Sequence, residues 1–169
     1  GTTILLNAIY NTKEFASLTY QDMPFVLSPN LWSKLNKGGN ALNKQERAHE
    51  DGIKINTNSP EAFEEVFWKN FHYDESDTFI EFTNFVQLLC MKYNKHRYLS
   101  KNNQNIKRID YLIKNFPNSK IIIPFREPLQ HANSLYNQHK KFISLQKKDD
   151  FIRKYMFWIG HSDFGMDYE

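Results

Sequence analysis

Apolar residues recur at helical spacing at the start of the chain. In residues 2–12, Ile4, Leu5, Ala8 and Ile9 fall on one face of a helix. The spacing therefore predicts a helix from the first residues of the sequence.

Two further helices are predicted in the middle of the chain. The stretch "NSPEAFEEVFWKNF" carries Ser59 as a possible cap, Pro60 at a favoured first helical position, and Glu61 near the positive end of the helix dipole. Residues 77–95 continue as an apolar helical run whose first residue the pattern does not fix.

The next part of the chain, residues 96–145, contains a sharper alternation of elements. Residues 96–101 read as a short strand and residues 102–116 as an amphipathic helix. The run "KIIIPF" (120–125) is continuous and β-branched, as in a strand that is covered on both faces. A helix from about Leu129 to Leu145 follows. This strand–helix–strand–helix order predicts an α/β fold with a parallel sheet.

The remaining segments complete one predicted domain over residues 1–169. "FASLTY" (15–20) is a strand candidate, and residues 149–159 form another predicted helix. Residues 31–58 are polar and irregular, which indicates an inserted loop region.

Composition excludes several classes of protein. The 22 basic and 19 acidic residues give a net charge of only +3, too balanced for a nucleic-acid-wrapping surface. No apolar stretch approaches the roughly 18 residues of a membrane-spanning helix, and the single cysteine, Cys90, excludes an internal disulfide. The histidines lack the tight spacing of a metal site. We therefore expect a cytoplasmic protein with neither a nucleic-acid partner, an integral membrane segment nor a metal.

The end of the predicted strand at 120–125 is a candidate phosphate site. Ligands bind at the carboxyl ends of strands in open parallel sheets. Arg126 follows this strand directly, Pro128 would begin the next helix, and Ser134 lies in that helix. An arginine fork and a hydroxyl would together suit a phosphate group. The alternative is that Arg126 pairs with a carboxylate and Ser134 is a surface residue.

The first three residues raise the same possibility. Phosphate-binding loops end in a glycine and hydroxyl residues at a helix N-terminus, and Gly1, Thr2 and Thr3 have this order. An ordinary P-loop NTPase has a lysine after its last glycine, where this chain has Thr2. The pattern therefore disfavours that class.

Taken together, "GTT" before an apolar helix and "FPNSKIIIPFREPLQHANSL" resemble the sulfotransferases that use 3′-phosphoadenosine 5′-phosphosulfate (PAPS), closest to their bacterial and tyrosylprotein-type branch. The resemblance implies a P-loop-like three-layer fold with a central parallel sheet flanked by helices. It also implies that Gly1, Thr2 and Thr3 bind the 5′-phosphosulfate and that Arg126 and Ser134 bind the 3′-phosphate. In that family a strand and a basic loop residue precede the glycine, so we expect the chain to be cut at both ends.

The resemblance also implies a base for the acceptor's proton. Asp22, in "SLTYQDMPF", matches the family's carboxylate shortly after the first helix. The rival is the polar cluster of His49, Glu50 and Asp51, with His49 its leading member. Lys101, at the end of the strand 96–101, could contact the phosphosulfate or the leaving group, or be a surface lysine.

The leading hypothesis is transfer of a sulfuryl group from PAPS to a hydroxyl or amine of a small-molecule or glycan acceptor, by in-line displacement with a carboxylate or histidine base. Two alternatives are a P-loop-type nucleotide or phosphate-ester kinase and a non-catalytic nucleotide-binding relative. The sequence leaves the acceptor and the oligomeric state open.

Overall fold

A computed structural model describes residues 1–35, 44–46, 52–72 and 77–168 of the chain. They fall into two compact units, Gly1–Lys120 and Ile121–Glu169. The elements of the first unit, in chain order, are α1 (Thr2–Tyr10), β1 (Phe15–Ala16), α2 (Pro29–Leu35), β2 (Gln45–Glu46), β3 (Lys54–Ile55), α3 (Glu65–Asn70), α4 (Thr78–Tyr93), β4 (Arg97–Tyr98) and α5 (Ile109–Asn115). The second unit holds α6 (Pro128–Lys148) and α7 (Asp150–Trp158).

A small parallel sheet confirms the α/β fold class that the sequence predicted. Strands β1 and β4 pair in parallel, with Phe15 opposite Arg97 and Ala16 opposite Tyr98. The Leu99 N–H donates to the Ala16 carbonyl at 2.8 Å, which extends the pairing beyond β4. The region 31–58 contains part of α2 and an antiparallel pair, β2 with β3, in addition to residues outside the described ranges.

Aromatic side chains form the core of the first unit. The Phe67 ring lies 5.2 Å from the rings of Trp68, Phe82 and Phe85, measured between centroids. These four side chains are each less than a tenth exposed. They hold α3 against α4, so the loop before α3 has a fixed support.

The helix predicted from Ser59 onward was placed too early, because α3 begins only at Glu65. Residues 59–61 instead run antiparallel to the chain that follows β1. Thr19 and Pro60 form an isolated bridge, the Glu61 N–H donates to the Leu18 carbonyl at 3.0 Å, and the Tyr20 N–H donates to the Ser59 carbonyl at 3.2 Å. Backbone groups paired with a distant segment are not available for a helix.

The predicted helix 102–116 is divided. It opens as a 3₁₀ helix over Asn103–Arg108 and continues as α5. The Arg108 guanidinium donates to both carboxylate oxygens of Glu65 at 2.8 Å, and its carbon lies 4.8 Å from the centre of the Trp68 ring. This ion pair, in which Arg108 is buried and Glu65 partly exposed, joins the 3₁₀ segment to α3.

The strand predicted at 120–125 is absent: these residues have no regular secondary structure. In the described parts of the chain, the strand pairs are β1–β4 and β2–β3. Ile122 is 61% exposed, Ile123 71% and Phe125 89%. A β-branched run favours extended backbone, but a strand also needs a hydrogen-bonded neighbour, and no ladder forms here.

Two predicted helices are confirmed in the second unit. The predictions at 129–145 and 149–159 correspond to α6 and α7. Phe142, Met156 and Phe164 form a buried cluster between these helices and the chain that follows them, with Leu145 and Ile152 packed against it.

Candidate active site

Three chain segments meet beyond the carboxyl ends of β1 and β4. One follows β1 through Leu18, and another follows β4 to Lys101. The third contains Glu61, whose backbone is hydrogen-bonded to Leu18. The carboxyl edge of a parallel sheet is where α/β proteins bind ligands, so Lys101 and Glu61 occupy the expected place for a site.

Glu61 and Lys101 lie side by side at this edge. The Lys101 ammonium is 4.0 Å from Glu61 Oε1, and the two side chains are 16% and 13% exposed. The Tyr20 hydroxyl donates to Glu61 Oε2 at 3.1 Å, and the Ala62 N–H donates to Oε1 at 2.8 Å. The Tyr20 ring packs edge-on against Phe63 at 5.2 Å, which fixes the direction of its hydroxyl. The result is a partly exposed carboxylate with a defined orientation beside a cation.

Asp22, by contrast, is fully buried. Its Oδ1 accepts from Lys92 Nζ at 2.6 Å. Its Oδ2 accepts from the Tyr93 hydroxyl at 2.7 Å, from the Thr19 N–H at 2.7 Å and from the Thr19 hydroxyl at 3.1 Å. Burial, and secondly the charge of Asp22, raise the pKa of Tyr93. The carboxylate thus ties a 3₁₀ turn at Tyr20–Asp22 to the end of α4.

A second buried carboxylate supports the chain around β4. Glu64 is 2% exposed and accepts hydrogen bonds from Trp68 Nε1 at 2.9 Å, from the Tyr98 hydroxyl at 2.8 Å and from Asn105 Nδ2 at 3.3 Å. Burial and the charge of Glu64 raise the pKa of Tyr98. These bonds hold the last residue of β4 close to the segment that carries Glu61.

The first three residues stand at the N-terminus of α1. Gly1 is the N-cap residue, it has no side chain with which to cap, and the first turn contains no acidic residue. Gly1 and Thr2 are exposed, whereas Thr3 is 6% exposed. The start of this helix is therefore free of the carboxylates that would repel an anion.

Arg126 and Ser134 lie in the second unit, before and within α6, and both are exposed. The first turn of α6 is capped by Glu127, whose carboxylate accepts from the N–H groups of Leu129 and Gln130 at 3.0 and 2.7 Å. Those backbone bonds, and then the charge of Arg126, lower the pKa of Glu127. An anion near this helix would therefore meet the side chains of Arg126 and Ser134 rather than the N–H groups of Leu129 and Gln130.

The structure thus distributes the predicted site residues over three groups. Gly1, Thr2, Thr3, Asp22 and Lys101 belong to the first unit, and Arg126 and Ser134 to the second. His49, Glu50 and Asp51 lie outside the described residues.

Sequence reasoning missed Glu61 as a site residue because it assigned Glu61 to the first turn of a helix. One signal for the observed conformation was present. The residue before a proline favours extended backbone, and Ser59 is in that position relative to Pro60.

The fold is that of an α/β protein, and Glu61 and Lys101 form a polar site at the carboxyl edge of its β1–β4 sheet. The model of the Sulfotransferase family matches residues 1–158. The chain therefore belongs to the sulfotransferase family, whose members transfer sulfuryl groups. No curated protein and no solved structure matches it. Of the helices in the described ranges, none combines the length and the apolar character needed to span a bilayer.

Proposed function

We propose that this protein transfers a sulfuryl group from PAPS to a hydroxyl or amine of a small-molecule or glycan acceptor. Family membership over residues 1–158 carries the proposal. The position of "GTT" at the start of α1 supports it, because the positive end of a helix dipole favours an anion and the first turn of α1 contains no acidic residue. A P-loop-like mode of binding and a cytoplasmic location belong to the same proposal.

The proposed donor is a nucleotide that carries several anionic groups, and we assign hydroxyl and cationic side chains of this chain to them. We assign the phosphosulfate to Gly1, Thr2 and Thr3, and the 3′-phosphate to the Arg126 guanidinium and the Ser134 hydroxyl. Lys101 supports the assignment as a partly buried ammonium at the carboxyl edge of the sheet. We assign it to the phosphosulfate or the leaving group, because a cation there stabilises the charge that develops on transfer.

The reaction also needs a group that takes the acceptor's proton. The resemblance of the sequence to the family proposes Asp22 for this role, and the cluster of His49, Glu50 and Asp51 is the alternative. A general base must come within hydrogen-bonding reach of the proton it removes. The buried position of Asp22 therefore counts against Asp22 as the base.

Calorimetric titration with 3′-phosphoadenosine 5′-phosphate tests the donor assignment. We expect binding that Arg126→Ala weakens roughly 10- to 150-fold, since a charge-assisted hydrogen bond contributes about 1.5–3 kcal/mol. Lys148→Ala, which removes one positive charge from the far end of α6, is the matched control and should leave the affinity nearly unchanged. Adenosine 5′-phosphate should bind much more weakly, because it lacks the 3′-phosphate.

Equal affinity for the two nucleotides would contradict the proposal. Hydrolysis of ATP without dependence on PAPS would favour the kinase alternative. Tight nucleotide binding without sulfuryl transfer to any acceptor would favour a non-catalytic relative.

Kinetics distinguish the two bases that the sequence proposes. Asp22→Asn and His49→Ala should be compared in kcat and in nucleotide affinity, since loss of the base slows the chemical step and leaves the affinity intact. Asp22→Asn needs the further variant Asp22→Asn/Lys92→Met, in which the buried lysine is not left without its partner. Recovery of kcat in the double variant would show that Asp22 is not the base.

A further inference from the structure

We propose that Glu61 is the general base that takes the proton from the acceptor hydroxyl. This inference rests on the proposed sulfuryl transfer and assigns to that reaction a residue which the sequence had placed in a helix. It depends on the first unit alone, in which Glu61, Lys101 and Tyr20 are in contact.

Glu61 lies at the edge of the parallel sheet. Because residues 59–61 pair with the chain after β1, Glu61 lies beyond the carboxyl end of β1, next to Leu18. Lys101 reaches the same place from the end of β4. Glu61 and the Lys101 cation therefore lie together at the edge where α/β proteins bind their substrates.

The Glu61 side chain is also more accessible than that of Asp22. A base must reach the proton that it removes, at a heavy-atom separation of about 2.6–3.2 Å. The Glu61 side chain is 13% exposed and is therefore reached by solvent, whereas Asp22 is 0% exposed. The oxygens of Asp22 accept hydrogen bonds from Lys92, Tyr93 and Thr19. These contacts suit a residue that holds a turn in place.

Two hydrogen bonds orient the Glu61 carboxylate. The Tyr20 hydroxyl and the Ala62 N–H each donate to one oxygen of Glu61, so the plane of the carboxylate is set before substrate arrives. Groups that are held in a productive geometry in advance lower the barrier by avoiding reorganisation.

The pairing with Lys101 matches the charges of the reaction. The acceptor oxygen forms the new O–S bond, while the bond from sulfur to the phosphate oxygen breaks and its electron pair leaves with 3′-phosphoadenosine 5′-phosphate. The acceptor proton passes to the Glu61 carboxylate and from there to solvent. Lys101, 4.0 Å from Glu61 Oε1, is close enough to stabilise the negative charge of the incoming sulfuryl group.

The test uses acceptors that differ in their need for a base. Phenol is un-ionised at neutral pH, with a pKa near 10 like that of tyrosine, whereas 4-nitrophenol is largely ionised at mildly alkaline pH. Sulfuryl transfer from PAPS to each probe, and to water as released sulfate, is measured for the wild type and for Glu61→Gln. We expect Glu61→Gln to slow transfer to phenol by roughly 10²–10⁴-fold. Transfer to 4-nitrophenolate should fall by less than about tenfold, since that acceptor has no proton to lose.

Three further variants keep the result interpretable. Glu81→Gln removes an exposed carboxylate of α4 and should behave as wild type. Glu61→Asp keeps the carboxylate but draws it back by one methylene, and it should retain part of the lost rate with phenol. Asp22→Asn/Lys92→Met should keep the wild-type preference between the two phenols. Affinity for 3′-phosphoadenosine 5′-phosphate and circular dichroism establish that each variant is folded.

An equal loss with both phenols would mean that Glu61 acts only through the structure, and an unchanged rate would mean that it has no role; either result overturns the inference while leaving the proposed function in place. If His49→Ala shows the loss that is selective for phenol and Glu61→Gln does not, the base is His49. If the wild type transfers sulfuryl groups to none of the three acceptors, the proposed function fails and the inference falls with it.

Discussion

Removal of one partner of the buried Asp22–Lys92 pair should destabilise the first unit strongly. Lys92 Nζ lies 2.6 Å from Asp22 Oδ1, and the two side chains are 9% and 0% exposed. Removing one member of such a pair leaves the other charge without its partner in a medium that solvates it poorly. That loss costs about 3–5 kcal/mol, compared with about 0–1 kcal/mol for an exposed pair.

Because Asp22 has other hydrogen-bond partners, we expect the loss of unfolding free energy to lie near the lower end of the range of about 3–5 kcal/mol. In Lys92→Met the carboxylate still accepts from Tyr93 and Thr19, so we expect a loss of about 3 kcal/mol. Asp22→Asn keeps one acceptor oxygen but leaves the Lys92 ammonium unpaired, with a similar loss. The double variant Asp22→Asn/Lys92→Met leaves no charge unpaired. Its loss should be smaller than the sum of the single losses by about 2 kcal/mol or more.

Urea unfolding followed by tryptophan fluorescence measures these losses. In a Trp158→Phe background the signal comes from Trp32 and Trp68, which both lie in the first unit. Trp32 Nε1 donates to the Gln21 carbonyl at 3.1 Å, so it reports directly on the turn that Asp22 holds. A loss of 3 kcal/mol moves the urea midpoint by roughly 1–3 M for slopes of about 1–3 kcal/mol/M.

The matched control is Lys34→Met on α2, which lies in the first unit with the two reporting tryptophans. Lys34 is exposed, so the substitution should change stability by less than about 0.5 kcal/mol. If Asp22→Asn and Lys92→Met each cost less than about 1 kcal/mol and their effects simply add, Asp22 and Lys92 do not stabilise each other.

Two other predictions concern alkaline stability and the turn after α7. Burial raises the pKa of both Tyr93 and Tyr98, so these phenols stay neutral in the folded state at a pH where the unfolded chain ionises. Their contribution is full below pH 10 and is lost above it, at about 1.4 kcal/mol per pH unit per tyrosine. Above pH 10 the urea midpoint should therefore fall less steeply in Tyr93→Phe than in the wild type, whereas Tyr136→Phe, at an exposed tyrosine, should fall as steeply as the wild type. Gly165 has φ +106°, and a Cβ there would stand 2.6 Å from Gln146 Oε1, whereas a Cβ at Gly52, with φ +76°, would meet nothing within 4 Å. Gly52→Ala adds only backbone strain, about 1–3 kcal/mol, whereas Gly165→Ala adds such strain and the contact with Gln146. Gly165→Ala should therefore lower the thermal midpoint more than Gly52→Ala. Equal shifts would mean that the contact with Gln146 has no cost.

Most helices of the chain were predictable from short stretches of sequence. The pattern at 129–145 located α6, observed at Pro128–Lys148, and the pattern at 149–159 located α7. An amphipathic helix needs only the spacing of its own apolar side chains and its capping residues, and these are local. The same holds for α1 and α4.

The candidate site was predictable only in part. The strand ending near Lys101 was recognised, and Lys101 does stand at the carboxyl edge of the β1–β4 sheet. Glu61 was not recognised as a residue of this edge, because the sequence around it is typical of a helix start. Its backbone instead pairs with residues about forty positions earlier. The pattern also did not show that Asp22 is enclosed by α4.

The sequence by itself determined the family, the α/β class and the position of most helices, because each depends on local spacing or on short motifs. Tertiary structure alone decided which carboxylate is accessible. Asp22 is buried through contacts with residues about seventy positions away, and Glu61 is directed to the sheet edge by a pairing across about forty. It also decided that the β-branched run 120–125 forms no strand, because a ladder requires a neighbour that no local pattern provides.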